Sequence, residues 1–329
     1  IWVQPQRGPF QKEVYYMPKK MRKAARRRRN PAGFICVCVL PALILTLFFT
    51  ILPTIRACLL SFTNATALSL NPKFCALENY TYMFRDINYT YMFRDKSFLQ
   101  ALGNTFKLLA VVPVVTITLA LILAFVIHQS KLPERGLYRT VLYFPNLVSM
   151  TVVGIIWSFV FHPTMGLLTS LMKKIGLGQF VLPWAGDSRT ALWCIAVALV
   201  WQATGYYMIM HIAAMDGISP EIYEAATLDG ASSTRKFISI TIPLMKNIIG
   251  ITFVLAMSGT LVLSFVLSQV MTGGGPNGAS TVLLKYMYEQ GFVNGNFGYA
   301  MAISVFSLAI SIVLSLISRR LSGSEEVNV

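Results

Sequence analysis

Charge is scarce in this chain. Asp, Glu, Lys and Arg make up 12% of its 329 residues, about half the share usual in soluble domains. None of the four occurs in 30–55, 108–130, 140–172, 190–215, 247–284 or 290–318. Each stretch can hold the roughly 20 apolar residues that a helix needs to cross a bilayer. The pattern predicts an all-α integral membrane protein with six transmembrane helices, near 34–55, 104–128, 140–161, 190–212, 248–271 and 297–318. Pro41, Pro53, Pro113, Gly154 and Gly259 fall inside them, which membrane helices accept.

Residues that carry chemistry are scarce too. His128, His162 and His211 lie far apart, and no H-E-x-x-H, Cys-x-x-Cys or G-x-S-x-G run occurs, so neither a metal nor a hydrolytic site is called for. Cys36, Cys38, Cys58, Cys75 and Cys194 are scattered and read as small buried hydrophobes without a disulfide framework. "TGGGPNG" at 272–278 invites a phosphate cradle, but the chain has no Gly-Lys pair and hence no P-loop; a tight turn outside the membrane is expected. The near absence of acids and bases within the spans leaves a proton relay without carriers. No cofactor is expected, and no enzymatic role.

The net charge is +15, and residues 1–33 hold ten of the Lys and Arg, with "RRRR" at 26–29. Such a run can bind nucleic acid. Its place against the first span favours a cytoplasmic anchor instead, with both termini cytoplasmic. Without that tail, inside segments carry eight Lys and Arg and outside segments ten, so the orientation rests on the tail and on the loop at 216–247. The apolar stretch after the tail is too long for a cleavable signal. Met17 or Met21 is the expected start.

The organisation expected is a basic tail (1–33), a first span with an outer segment (34–98), a core (99–320) and a C-terminal tail (321–329). The outer segment holds a tandem repeat, "NYTYMFRDI" at 79–87 and "NYTYMFRDK" at 88–96, read as a local duplication of the kind loop tips accept. Asn-x-Thr triplets at 64, 79 and 88 match glycan acceptors, a common chance pattern. Loop 162–189 reads as a short amphipathic helix from Gly166 to Ile175, closed by Gly176, with Trp184 at headgroup depth.

What the spans do carry is neutral polarity and aromatic rings: Asn146, Trp157, Trp201, Gln202, Tyr206, Tyr207, Ser258, Ser264, Gln269, Asn296 and Tyr299. Singly these read as interhelical bonds and interface belts. As a set they suit a polyhydroxylated neutral solute lining a path.

The loop between the fourth and fifth spans reads "SPEIYEAATLDGASSTRKFISITIPL". Ser219 is placed to cap a helix, Pro220 fits its first position and Glu221 suits its positive end. Gly230 is placed to end it in a left-handed turn. Ser232 or Ser233 can cap a second short helix, and Pro243 interrupts before the next span. The product is an elbow whose corner (Ala225, Ala226, Gly230, Ala231) is thin enough for a partner backbone to approach.

Glu224-Ala225-Ala226, Gly230, Ile240 and Pro243 fit the pattern EAA-x3-G-x9-I-x-L-P, with Ile242 in the Leu position. That pattern resembles the signature of membrane subunits of binding-protein-dependent ABC importers, with the MetI-like transmembrane domain. The longer string, with Phe237, resembles the sugar-uptake branch of maltose- and glycerol-phosphate-type permeases. "LENY" at 77–80, "ALGNT" at 101–105, "PW" at 183–184, "WQATGYYM" at 201–208, "TGGGP" at 272–276 and "GYAMAIS" at 298–304 follow in matching order. The nine-residue repeat departs from that family, which has one such segment. The resemblance implies a second permease subunit forming a heterodimer, two cytoplasmic ATPase subunits each receiving an elbow, and an external solute-binding protein delivering a sugar. It implies polar contacts to the ATPase from Glu224 and Asp229, close packing at Ala225 and Ala226, and the turn at Gly230, with Ala231, Arg235, Phe237, Ile240 and Pro243 completing the loop. Two other readings fit the composition: an ABC importer for glycerol phosphate, peptide, amino acid or metal, and a facilitative channel or secondary carrier that needs no ATPase.

Overall fold

A computed structural model of the chain describes residues 31–69, 71–84, 96–129 and 133–322. The tail up to residue 30, residues 85–95 of the tandem repeat with the triplet at Asn88, and residues 323–329 lie outside the described residues. The chain divides into two compact units, Ile1–Ala57 and Cys58–Val329. Helix α1 (Pro31–Thr46) passes through a π turn (Leu47–Ile51) into α2 (Leu52–Leu60), whose last three residues belong to the second unit. Together they give one candidate span, Val37–Leu60.

Among its described residues the regular structure of the second unit is helical, with one isolated bridge between Thr63 and Phe74. Helix α3 (Glu78–Phe84) precedes α4 (Lys96–Gln129), then come α5 (Arg135–Leu147), α6 (Met150–Val160), α7 (Leu167–Lys174) and α8 (Ala191–Asp216). After them follow α9 (Pro220–Leu228), α10 (Ser233–Lys236), α11 (Ile242–Leu244), α12 (Lys246–Leu267), α13 (Leu283–Tyr288) and α14 (Phe297–Ser322). Among the described residues five helical runs are long and apolar enough to cross a membrane, and six if the pair α5–α6 counts as one.

That pair differs from the sequence reading, which takes 140–161 as one continuous helix. Arg135–Leu147 and Met150–Val160 meet at 99°. Pro145 removes a backbone donor near the end of α5. Val148 is extended, and Ser149 starts a fresh helix as its N-cap, its hydroxyl accepting from the Val152 N–H at 3.5 Å. Continuous hydropathy hides such a break.

Helices α4 and α8 form the spine. Leu108 and Val112 meet Ile195 and Leu199 in one buried cluster; Ile117, Leu121 and Phe125 meet Met208, Ile212 and Met215 in the next. Gly205 lets α8 touch the backbone of α5: a Cβ there would overlap the Leu142 carbonyl. At 34 residues, α4 is about 51 Å long, well beyond the ~30 Å hydrocarbon core of a bilayer. Its two ends therefore lie in different surroundings from its middle.

Candidate functional site

The elbow follows from its sequence in detail. Pro220 opens α9 and Ser219 stands at its N-cap, although the Ser219 side chain makes no capping bond. The helix ends in a Schellman motif: the Ala231 N–H donates to the Ala226 carbonyl at 2.9 Å and the Gly230 N–H to the Thr227 carbonyl at 3.0 Å. Gly230 takes φ +74°, and a Cβ on it would meet nothing within 4 Å. The spacing from Ala226 to Gly230 is thus the spacing of a helix C-terminus. Ser232 caps α10, its hydroxyl accepting from the Arg235 N–H at 3.3 Å. A π turn (Phe237–Thr241) then carries Ile240 into α11, where Pro243 sits.

The two alanines differ. Ala226 is buried, whereas Ala225 is exposed with Glu224, Asp229 and Gly230. Leu228, which the sequence reading passes over, is 89% exposed at the tip. Thr227, Lys236, Tyr223 and Thr241 brace the corner. Lys236 Nζ donates to Thr227 Oγ1 at 2.7 Å, and the Tyr223 and Thr241 hydroxyls are 3.0 Å apart. The Phe237 ring lies 4.6 Å from that of Phe125 on α4, and His128 Nδ1 is 3.1 Å from Asp216 Oδ1 at the end of α8. Met215 and Met245 are buried between the same elements. The elbow is thus in packing contact with α4 and with the ends of α8 and α12.

Halfway along α4 lies a cavity of about 220 Å³. Three helices each give it one face at helical spacing: Val112 and Thr116 of α4; Leu199, Gln202, Ala203 and Tyr206 of α8, with Tyr207; Ala256, Gly259, Thr260 and Leu263 of α12. Asn146 enters from the end of α5 beside the bend. Among the described residues no charged one lines it. Thr116 is 1% exposed, and its hydroxyl has no partner among the described residues. Buried polar groups are normally satisfied, and this one lies at the cavity wall.

The eleven residues singled out from the spans do not form one site. Asn146, Gln202, Tyr206 and Tyr207 line this cavity. Asn296 and Tyr299 line a second pocket of about 240 Å³ at the far end of the unit from the elbow, with Asn64, Thr66, Asn79, Tyr82, Tyr286 and Gln290. Trp157 and Trp201 meet edge to face at 5.7 Å, outside both linings. Ser258 faces a narrow groove between α12 and α14. The Ser264 hydroxyl donates to its own helix, to the Leu261 carbonyl at 3.1 Å, and Gln269 is exposed in a π turn. Thr116 and Thr260 were missed because a threonine in an apolar run reads as helix packing; their four-residue offsets from Val112 and Ala256 are the only signal.

The short helix α7 (Leu167–Lys174) begins at Gly166 and stops before Gly176, at φ +83°, as the sequence predicts. In the same loop Asp187 is held below the usual carboxylate range, chiefly by the Arg189 side chain that donates to it at 3.1 and 3.3 Å, and also by the Arg189 N–H. Asn79, the middle of the three glycan-like triplets, donates its amide to the Ser61 and Thr63 carbonyls at 2.8 Å each.

Comparison with known proteins places this architecture. The family model described as "Binding-protein-dependent transport system inner membrane component" matches residues 116–323. The chain is 34% identical over 88% of its length, and 96% of the relative's, to a probable ABC transporter permease protein, YurN, of Bacillus subtilis. It is 31% identical over 94% of its length, and 90% of the relative's, to the diacetylchitobiose uptake system permease protein NgcF of Streptomyces coelicolor. A lactose transport system permease protein, LacF, of Rhizobium radiobacter is 31% identical over 92% of this chain and 97% of the relative. Among solved structures, a bacterial ABC transporter for the import of alginate has a chain of the same fold, with a TM-score of 0.75 at 20% identity over 92% of this chain and 98% of that one. The chain belongs to the inner membrane components of binding-protein-dependent transport systems, the multi-pass, non-catalytic permease subunits of ABC importers.

Proposed function

We propose that this subunit walls the translocation path for a neutral carbohydrate and couples it to a partner ATPase through the elbow at 219–243. The observation that carries the reading is the joint one of a charge-free, hydroxyl- and amide-lined cavity and a corner wired to the three helices that form it. Relatives named for diacetylchitobiose and lactose uptake support the cargo class. Others are named for sn-glycerol-3-phosphate, and a phosphate ester would want Arg or Lys in the path; the lining of this cavity has neither. In this reading the N- and C-termini and the elbow are cytoplasmic, a second permease subunit closes the path as a heterodimer, two ATPase subunits each grip one elbow, and a solute-binding protein delivers the sugar outside.

The exposed Leu228 and Ala225 suit insertion into a cleft, with Glu224, Asp229 and Arg235 at its rim. Driving a gate from 1:99 to 99:1 takes about 5.5 kcal/mol of differential binding, so the grip must be firm. The test is Gly230→Asp in the reconstituted complex. Asp tolerates left-handed backbone better than most residues, and its Cβ meets no atom of this chain. The expected result is normal membrane insertion with uncoupled transport. Wild-type transport by that variant, or labelling of residue 230 from outside the cell, overturns the coupling reading. Failure of every neutral di- and oligosaccharide in a transport panel overturns the cargo.

A further inference from the structure

We infer that the second pocket, at the end of the unit away from the elbow, is a separate binding site for a neutral sugar ring, loaded before the membrane cavity. This rests on the carbohydrate reading above. Position comes first. Phe98, at the start of α4, packs on Tyr286 of the pocket wall with ring centroids 6.3 Å apart. Thr116 of the membrane cavity is 18 residues further along the same helix, or about 27 Å, and the elbow contact at Phe125 lies beyond it. An α4 of about 51 Å overhangs a ~30 Å hydrocarbon layer, which sets its first turns, and this pocket, at the aqueous margin.

The chemistry is that of saccharide recognition. Among the described residues the lining gives four amide side chains, one threonine and three tyrosines, and no ionised group. Its frame is fixed by backbone bonds: the Gly298 N–H donates to the Ala65 carbonyl, Ala67 N–H to Gly295 carbonyl and Asn296 N–H to Gln290 carbonyl, at 2.8 to 2.9 Å. Asn79 spends its amide N–H groups on the Ser61 and Thr63 carbonyls, and Asn64 Oδ1 accepts from the Lys73 N–H. The side-chain amides of Gln290 and Asn296 have no hydrogen bond among the described residues. Each offers a donor pair beside an acceptor, the arrangement that adjacent sugar hydroxyls match. Tyr82 stands edge-on to Tyr299 at 5.1 Å and is itself 62% exposed, leaving an aromatic face for the C–H side of a ring. The volume of about 240 Å³ admits one ring of a longer saccharide.

The experiment uses the complete complex in nanodiscs, with lactose and N,N′-diacetylchitobiose as probes. Saturation-transfer NMR reads binding without turnover, and reconstituted uptake reads the Michaelis constant and the maximal rate. Tyr82→Ala and the double variant Gln290→Ala/Asn296→Ala alter exposed or half-exposed side chains, and unchanged melting temperature certifies their folding. The expected result is an about tenfold rise in the dissociation and Michaelis constants, equivalent to 1.4 kcal/mol, with the maximal rate little changed. Gln202→Ala, in the membrane cavity, should instead lower the maximal rate while saturation transfer persists. If the outer variants bind and transport as wild type while Gln202→Ala abolishes uptake, the outer site falls and the carbohydrate reading stands. If the outer variants lose only association with the solute-binding protein, the pocket is a protein contact and the inference is wrong. If the wild-type complex transports no neutral saccharide, both fall together.

Discussion

At the elbow end the chain shows an apolar side chain, Leu228, to solvent and holds its corner with short-range bonds, Ala231 to Ala226 and Lys236 to Thr227. At the opposite end polar atoms are turned inward and fastened across long stretches of sequence. Asn104 Nδ2 donates to the carbonyls of Gly278, Ala279 and Thr281 at 3.0 to 3.2 Å, while Thr105 Oγ1 accepts from the Leu283 N–H at 2.8 Å. Ser268 Oγ reaches the Ser280 carbonyl at 2.7 Å, and the glycine turn between them takes positive φ at Gly273, Gly274, Asn277 and Gly278. One end is a self-contained module; the other is a plug sealed to the helices around it. In the proposed reading the first is a lever, which must move as a piece, and the second a mouth, which must keep its shape.

The sharpest way to break that contrast is at Asn104, which is 3% exposed. Asn104→Ala takes the amide donor from three loop carbonyls, of which Gly278 keeps another bond of the turn, from the Thr281 N–H, at a cost of about 1–3 kcal/mol. The expected outcome is a clearly lowered melting temperature in detergent and loss of monodisperse protein on size exclusion. An unchanged melt would mean that the turn at 272–281 holds itself.

The matching change at the other end is Leu228→Asp. Its side chain touches little of its own chain, so the melt should stay within error. Transport should fall by about tenfold or more, the worth of one buried apolar contact at an interface (about 1.5–3 kcal/mol). Equal loss of stability and transport would show that Leu228 serves this chain and no partner.

The contrast also explains what the sequence discloses. The elbow was legible because its geometry is written in consecutive residues: Pro220 starts it, and the Ala226–Gly230 spacing is that of a Schellman motif. The plug was not, since Asn104 and its acceptors stand 174–177 residues apart; "ALGNT" and "TGGGP" were visible as strings without their bond. The cavity lies between these cases. The faces of α8 and α12 repeat at helical spacing, but nothing local says that they converge with Asn146, which only the bend at Val148–Ser149 brings in. Asn296 and Tyr299 read in sequence as lining one path with Gln202, and that they stand in a pocket of their own is equally invisible there.

Lys236→Met separates brace from lever within the elbow. It removes the bond from Lys236 Nζ to Thr227 Oγ1 but keeps an unbranched aliphatic stem. As the contact is at the surface, the stability change should be under about 1 kcal/mol, with transport reduced only slightly. A large transport loss at unchanged stability would make Lys236 a partner contact in its own right.

The smallest effect is expected at the Asp187–Arg189 pair, on the loop that belongs to neither construction. The Arg189 side chain and N–H hold the Asp187 carboxyl below its ordinary value, so the pair's contribution is complete above the usual carboxylate range and is lost as pH falls through the depressed value. Arg189 is 82% exposed, and water and salt screen such a pair. Melting temperature against pH should therefore run nearly parallel for wild type and Arg189→Gln from neutral pH downward, converging at the acid end where Asp187 is protonated in both. A gap that widens toward acid would reverse the sign and rule out this linkage; a large gap at neutral pH would show that the loop, like the plug, is fastened to the helices beneath it.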